Sequence, residues 1–218
     1  VRDKWRKTAF SSTYSYHHGY FDGVEREFRG FGRVEQLDTE NYGIFQQGNI
    51  SSPYIANDKT LYQPPIKTIT WFHTGAFSPR DKILNQFEHE YFPNNLGQDQ
   101  LSVLGGFQEK KLSQPDLSSD DLNSQEWREA LRGCKGMTLR QEVYELDFDA
   151  LEQQGLHQPK KLFSSTYNSC HIKLLQHCAE NKHAVFLVTE SEAISYSYEL
   201  DLQAEISQVD PRIAHVLN

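Results

Sequence analysis

His17, His18 and Asp22 are the residues near the start of the chain whose types could do chemistry. They lie in YSYHHGYFDGVEREFRGFGRVEQ, where a general base or metal ligands could sit at a strand end and turn. Adjacent strand residues point to opposite faces, so we expect that His17 and His18 do not chelate one ion together. The alternative is that these residues serve turn geometry and edge hydrogen bonds. The sequence favours this architectural interpretation.

A second candidate is the mirrored set Cys170, His171, His177 and Cys178, whose side chains are zinc-type ligands. On a continuous strand, residues 170 and 178 would lie about 26 Å apart at roughly 3.3 Å per residue. Only a turn near Leu174 would bring them together, and IKLL is typical of a strand, so we predict no structural zinc. Cys170 and Cys178 could pair with each other, which their spacing cannot decide. Three cysteines in all do not form an even disulfide framework.

The remaining motifs also favour structure over chemistry. Asp147 and Asp149 share a strand parity and could hold a cation, but they close a strand beside a loop, which predicts solvated side chains. Gly30 and Gly32 are followed by neither a third glycine nor a helix start, which excludes a phosphate-binding loop and indicates a bulge or close backbone approach. The sequence has no GxSxG, HExxH or P-loop motif. We therefore predict no catalytic, metal-binding or cofactor-binding residues, and a chain that is not an enzyme.

Charge and hydropathy restrict the partners. The 218 residues carry a formal net charge of -8, and the basic residues are scattered, which argues against a nucleic-acid partner. No apolar run approaches the roughly 20 residues that cross a bilayer, so we expect no direct membrane insertion. The chain begins at a valine, and we interpret it as part of a longer polypeptide whose export signal lies elsewhere.

The elements that position these residues are mainly β-strands. Residues 9–18 alternate with period two, and the alternation returns after Gly23 as an antiparallel strand, with GYFDG as the connecting turn. Its Glu and Arg residues, in REFRG, are predicted to lie on a solvated face. Residues 41–65 are interpreted as a loop, and a strand rich in Ile, Thr, Trp and Phe begins at Ile66.

A helical insertion interrupts the strands. DKILNQFEHEYF spaces its apolar residues as one helical stripe, and a second helix is predicted from Ser124 as its cap to Gly133 as its stop. Alternation then returns at KGMTLRQEVYELDF and continues to RIAHVLN, with CAENK as a hairpin connection. The predicted organisation is a hairpin and strand segment at 1–77, a helical and loop insertion at 78–133, and an antiparallel segment at 134–218.

Several of these segments together carry a family resemblance. YHHGYFDGVEREFRGFGRVE, PPIKTITWFHTGAF, ALRGCKGMTLRQEVYELD, NSCHIKLLQ, KHAVFLVTESEAISYSYE and DPRIAHVLN occur in an order that resembles the middle to C-terminal region of the B component of bacterial insecticidal toxin complexes, the Tc toxins. The resemblance covers about residues 5–218. It implies a parent with an SpvB-like N-terminal region, a β-propeller and Rhs or YD repeats, and a segment that is mainly antiparallel β in an Rhs-type shell.

The resemblance also implies partners and a location. With the C component, the B component would enclose a cytotoxic effector, and the rest of the parent would dock on the pore-forming A component, in a secreted or extracellular complex. We expect this segment to be wall, with no catalytic residues to carry over. The alternative is an interaction module in which Tyr54, Tyr62 and Trp71 bind a glycan or partner surface. An enzyme or metal site at His17, His18 and Asp22 or at the cysteines ranks third.

Overall fold

The computed structural model describes residues 2–3, 8–40, 63–95, 107–112, 115–117, 121–179, 181–204 and 209–217. Its elements in chain order are β1 (Arg2–Asp3), β2 (Thr8–Asp22), β3 (Glu27–Glu40), β4 (Ile66–Phe72), α1 (Arg80–Glu90), β5 (Asp116–Leu117), α2 (Ser124–Gly133), β6 (Thr138–Leu146), α3 (Phe148–Gln154), β7 (Pro159–Gln176), β8 (Val185–Asp201) and β9 (Arg212–Leu217). The fold is mainly β, as the alternation predicts. The predicted loop at 41–65 lies outside the described residues except for 63–65.

All the described strands belong to one nine-stranded sheet. Its order is β1-β2-β3-β4-β6-β7-β8-β9, and β5 pairs with β7 away from this path. Every pairing is antiparallel except that of β5 with β7, which is parallel. The longest strands have 18 and 17 residues, β7 and β8, and they form one hairpin. KHAVFLVTE and EAISYSYELDL therefore lie largely on one continuous strand.

Two adjacent cross-strand rows of side chains define the faces of the sheet. The first row lies on the face that packs against α1 and consists of His17, Arg33, Trp71, Arg140, Tyr167 and Ile194. The second row lies on the opposite face, the open face, and consists of Tyr16, Val34, Thr70, Gln141, Thr166 and Ser195. Trp71 and Arg140 are 0% exposed, whereas Tyr16 is 56% exposed. The packed face therefore carries charges, and the open face carries exposed aromatic rings.

The predicted solvation of the charged residues in REFRG is wrong for Arg29, although Arg26 is exposed. Arg29 is 3% exposed, and the side chains of Arg33 and Glu35 are only 21% and 13% exposed. Arg29 is buried, and Arg33 and Glu35 are partly buried, because each of them meets an opposite charge. Phe28, the apolar residue of REFRG, is instead 52% exposed.

The β2–β3 turn lies later than GYFDG. β2 continues to Asp22, and the turn comprises Gly23 to Arg26. The Asp22 carboxylate accepts hydrogen bonds from the backbone N–H groups of Val24 and Glu25 at 3.0 and 3.1 Å, and Arg26 has a φ of 52°. Gly19 stays in the strand, where a Cβ would lie 3.4 Å from the Phe28 ring. The aspartate, rather than the first glycine, therefore begins the turn.

The two predicted helices are present, with one change of cap. Asn123, not Ser124, is the N-cap of α2, because its side chain accepts from the N–H groups of Gln125 and Glu126 while Glu126 returns a bond to the Asn123 N–H. Phe87 of α1 lies in the larger core cluster with Trp71, Tyr91 and Leu162. A smaller cluster surrounds the end of α2 and includes Ala130 and Ile172. None of the described helices combines the length and apolar character that a membrane span requires.

Candidate functional site

The two neighbouring histidines of β2 reach different carboxylates on the same side of the sheet. His17 Nε2 lies 3.8 Å from Glu35, and His18 Nε2 lies 2.7 Å from Glu90 at the end of α1. The expectation that their side chains point to opposite faces is wrong, because His18 has a φ of 55°, which breaks the strand alternation. Their ring centroids are 6.5 Å apart. In the part of the chain that the structure describes, neither ring contacts Asp22.

We define the charged seam as His18, Arg33, Glu35, Lys67 and Glu90. Arg33 Nη1 donates to Glu90 at 2.9 Å and its Nη2 pairs with Glu35, which also meets Lys67 Nζ at 2.8 Å. Burial alone would raise the pKa of Glu35, but the bonds from Lys67 and Arg33 outweigh it, and the pKa falls below its ordinary value. The seam therefore lies between α1 and three strands, and each of its two carboxylates contacts two basic side chains.

Asp22 anchors a buried arginine. Arg29 Nη2 donates to Asp22 Oδ2 at 3.0 Å, and Arg29 Nη1 donates to the Gly75 carbonyl at 3.3 Å. Burial would raise the pKa of Asp22, but the N–H donors of Glu25 and Val24 and the Arg29 charge together lower it. The carboxylate therefore stays ionised and acts as a turn cap and counter-ion, which leaves it a poor proton acceptor near neutral pH.

Arg140 is a fully buried arginine that no motif in the sequence singles out. Its Nε donates to Glu142 Oε1 at 2.6 Å, its Nη1 pairs with Glu109, and its Nη2 donates to the Phe92 carbonyl at 3.0 Å. Its guanidinium lies 4.2 Å from the Tyr167 ring centroid and 4.9 Å from that of Tyr91. These contacts form what we call the Arg140 centre, which joins β6 to Phe92, to Glu109 and to Tyr167 on β7.

Tyrosines complete the centre around Arg140. Tyr144 donates to Glu142 Oε2 at 2.7 Å, and Tyr198 donates to Glu109 Oε1 at 2.6 Å. Burial, together with the adjacent carboxylates, raises the pKa of both phenols far above their ordinary value. Burial would lower the pKa of Arg140, but Glu142 and Glu109 raise it. The phenols stay protonated and the guanidinium stays charged, so the centre is an anchor rather than a proton-transfer site.

The residues weighed as zinc ligands are dispersed. Cys170 Sγ lies 3.1 Å from Cys134 Sγ, His171 lies 2.9 Å from Asp116, and His177 lies 3.0 Å from Glu126. Within the ranges that the structure describes, no group of three or more His, Cys, Asp or Glu side chains could hold a metal ion. β7 runs unbroken to Gln176, as IKLL predicts. The possible pairing of Cys170 with Cys178 is replaced by the contact of Cys170 with Cys134.

Two glutamates of α2 hold the connection between β7 and β8. Glu126 Oε1 accepts from the Cys178 N–H at 2.9 Å, and Glu129 Oε2 accepts from the Ala184 N–H at 2.8 Å. His183 Nδ1 lies 2.7 Å from Glu129 Oε1. Backbone bonds from Asn123 and Cys178 are the main cause that lowers the pKa of Glu126. The histidines and acids of this region therefore fix a hairpin to a helix.

Asp147 and Asp149 are not a strand pair. β6 ends at Leu146, and Asp147 is the N-cap of α3, where its side chain accepts from the Ala150 N–H at 2.9 Å. Asp149 lies in the first helical turn, which suits an acidic residue because of the helix dipole. The backbone bond from Ala150 lowers the pKa of Asp147. The two aspartates therefore form the start of a helix.

The exposed rings on the open face form an aromatic cluster, which we define as Tyr16, Phe28 and Phe31. Their exposed fractions are 56%, 52% and 42%, and Phe31 lies 5.0 Å from Tyr16 and 5.4 Å from Phe28 between centroids. Trp71, expected to be exposed in the interaction-module alternative, is fully buried against Tyr91, at 4.8 Å. Tyr54 and Tyr62 lie outside the described residues.

Comparison with known families gives two matches to one toxin. The insecticide toxin TcdB middle/N-terminal region matches residues 1–60, and the insecticide toxin TcdB middle/C-terminal region matches residues 129–218. No curated protein sequence matches the chain.

Solved structures resemble the whole chain. A crystal structure of TcdB2–TccC3 is 26% identical, with a TM-score of 0.63 and coverage of 98% of this chain and 9% of that one. The Photorhabdus luminescens Tc holotoxin pore with a TccC3 substitution is 25% identical, with a TM-score of 0.60 and coverage of 96% and 8%. TcdB2–TccC3 without its hypervariable C-terminal region is 24% identical, with a TM-score of 0.64 and coverage of 98% of this chain and 8% of that one. At this identity the likeness shows the fold alone. The chain spans less than a tenth of these proteins.

Proposed function

The chain belongs to the middle region of TcdB-type insecticidal toxins, and from that premise we propose that it is a non-enzymatic wall segment of a toxin-complex B component. With the C component, the wall encloses a cytotoxic effector, and the rest of the parent connects it to the A component pore. The complex acts outside the producing cell. The C component is proposed as a partner because the solved relatives are TcdB2–TccC3 assemblies.

The observation that carries the proposal is the two-sided sheet. One face is closed by α1, the charged seam and the Arg140 centre. On the open face, Tyr16 and Gln141 are exposed and the residues between them in the row are partly exposed. The candidate acids and bases are bonded to structural partners, as in Asp22 with Arg29 and Glu142 with Arg140. A sheet of this kind separates two spaces and needs no reacting group. We therefore assign its polar residues to the strength of the wall.

The organisation proposed from the sequence suits this role. Segments 1–77 and 134–218 supply the long strands, and segment 78–133 supplies α1 and α2. The insertion then braces the sheet from one side, because Glu90 of α1 contacts His18, Arg33 and Trp71. Membership of a larger Rhs or YD repeat array and of an SpvB-containing parent remains part of this proposal.

The test measures protection of the effector in the complex of the full-length B component with the C component. We expect Arg140→Ala to make the enclosed effector more sensitive to added protease, because it leaves Glu142 and Glu109 buried without their counter-ion. Gln141→Ala is the matched control, since this exposed neighbour lies on the opposite face. If the unchanged complex leaves the effector as sensitive as free effector, the wall proposal is wrong.

The aromatic cluster favours a second candidate function, which is the binding of a glycan or a protein surface. Three exposed rings, with Phe31 in contact with both Tyr16 and Phe28, are typical of surfaces that bind a glycan or a protein. A glycan array with the full-length protein tests this function. Saturable glycan binding that Tyr16→Ser abolishes would favour glycan recognition over enclosure of the effector. If no glycan binds, the wall function is retained for this surface.

A further inference from the structure

Two buried cysteines meet where the insertion joins the sheet. Cys134 is the C-cap of α2 and Cys170 lies within β7, 36 residues further along the chain. Their sulfur atoms are 3.1 Å apart, and each residue is 1% exposed. The third cysteine, Cys178, follows β7, and its backbone N–H bonds to Glu126. The chain therefore contains one close thiol pair and one separate thiol among its three cysteines.

The surroundings make the two thiols unequal. Cys170 Sγ lies 3.9 Å from His73 Nε2, and the pair is otherwise enclosed by apolar residues of the smaller core cluster, such as Ala130 and Ile172. The hydrogen bond between the thiols raises the pKa of Cys134 and, with His73, lowers the pKa of Cys170 to about 5. The proton therefore stays on Cys134, and Cys170 is the sulfur with thiolate character.

We propose that Cys134 and Cys170 form a disulfide when the protein meets a peroxide, and that this bond fixes the end of α2 to β7. A disulfide has a sulfur separation of about 2.05 Å, so the atoms must approach by about 1 Å. Both cysteines lie at irregular backbone that can supply this movement. Cys134 ends a helix, and the register between β7 and β8 shifts between Asn168 and Cys170.

The reaction balances with hydrogen peroxide as the oxidant. The Cys170 thiolate attacks one peroxide oxygen, the O–O bond breaks, and hydroxide leaves as Cys170 becomes a sulfenic acid. The Cys134 sulfur then attacks the Cys170 sulfur, the S–O bond breaks, and the Cys134 proton leaves with the departing oxygen as water. The hydroxide takes up the proton that Cys170 released when it ionised, so two thiols and one peroxide give one disulfide and two waters. Peroxide is small enough to reach the pair through local opening of the helix end.

The bond would brace the same region that Glu126 and Glu129 fix by hydrogen bonds. α2 holds the β7–β8 connection through these two carboxylates, and the disulfide would tie its other end to the middle of β7. A covalent link across 36 residues also restricts the unfolded chain, which stabilises the folded state. The wall would thereby become more resistant in an oxidising environment than in a reducing one.

The experiment maps the cysteines of the full-length B component after exposure to hydrogen peroxide. The protein is denatured, its free thiols are alkylated, and the digest is analysed by mass spectrometry with and without a reductant. We expect a reductant-sensitive peptide pair that joins Cys134 to Cys170 and has lost two hydrogens. Cys178→Ser should give the same pair. The proposal is overturned if Cys134 and Cys170 are both alkylated in a sample in which peroxide has oxidised Cys178. It is also overturned if the disulfide joins Cys178 to either of them.

A second measurement separates the link from general oxidation. Amide exchange around the end of α2 should become about tenfold slower or more after oxidation of the unchanged protein and of Cys178→Ser. Cys134→Ala should show no such slowing after the same treatment. Equal slowing in Cys134→Ala would contradict the proposal. If Cys134→Ala does not fold, the peptide map of the unchanged protein still decides the outcome.

Discussion

Arg29 Nη2 donates to Asp22 Oδ2 at 3.0 Å, and the Arg29 side chain has no solvent exposure. The same carboxylate caps the β2–β3 turn through the N–H groups of Val24 and Glu25. One aspartate therefore fixes a turn and neutralises a buried charge. The residue type suited to catalysis is used here for architecture.

Replacement of this aspartate should lower the free energy of unfolding in a pH-dependent way. Asp22→Asn keeps the shape but removes the charge opposite Arg29, with an expected loss of about 1–3 kcal/mol at neutral pH. Because the folded pKa is below the ordinary value of 3.8, the contribution is complete above that value and is lost as the pH falls through the folded pKa. Urea unfolding from pH 7 to pH 2 should show the two proteins converging in acid. Glu25→Gln in the same turn is the control, and an equal loss at every pH would contradict this explanation.

The Arg140 centre should show strong coupling. Arg140→Met leaves two buried carboxylates without a counter-ion and should cost about 3–5 kcal/mol. Arg140→Met combined with Glu142→Leu should cost less than the sum of the single changes, because the pair is removed together. Denaturant unfolding of the four proteins measures the coupling energy. Additive losses would show that the 2.6 Å contact contributes no specific stabilisation.

Gly32 of β3 is predicted not to accept a side chain. A Cβ there would lie 2.5 Å from Phe87 Cζ on α1, whereas a Cβ at Gly23 would meet nothing within 4 Å. Gly32→Ala should destabilise by about 1–3 kcal/mol through overpacking, and Gly23→Ala should change stability by less than about 0.5 kcal/mol. Thermal unfolding compares them. Phe87→Leu should reduce the cost of Gly32→Ala, and the absence of any such rescue would contradict the proposed clash.

The two carboxylates on α2 should protect different amides. Glu126→Gln should speed hydrogen exchange at the Cys178 amide, and Glu129→Gln should speed it at the Ala184 amide, because each side chain accepts from its own N–H. Each variant is the control for the other. Exchange that rises equally at both amides in either variant would show that the connection opens as one unit and that these bonds do not act separately.

The sequence predicts the class of fold and most of its elements. Alternation and the content of Thr, Tyr and Ile locate the strands, and apolar spacing locates α1 and α2. α3 was missed although its signals are present, since Asp147 caps it and Gly155 ends it with a φ of 65°. Asp147 was instead interpreted as the end of a strand.

The faces of the sheet could not be predicted from the same pattern. Period-two alternation separates two faces but does not say which one is buried, and charged residues are assumed to be solvated. Arg140 and Glu142 are buried because they neutralise each other and are surrounded by tyrosines, and these partners come from distant parts of the chain. His18, which has a left-handed conformation, likewise contacts Glu90 of α1, far along the chain. The burial of Arg140 and Glu142 and the surroundings of His18 therefore involve residues that are far apart in the sequence.

The central claim is that the residues suited to chemistry strengthen a wall. The most direct measurement combines His17→Gln, His18→Gln and Asp22→Asn in the full-length B component, with the exposed pair Arg212→Gln and Glu199→Gln as the control. Thermal stability, assembly with the C component and delivery of the effector are measured on the same samples. We predict that stability or assembly falls together with delivery, and that the control retains all three. Normal stability and assembly with delivery abolished would contradict the account, because those side chains would then act in a chemical or gating step.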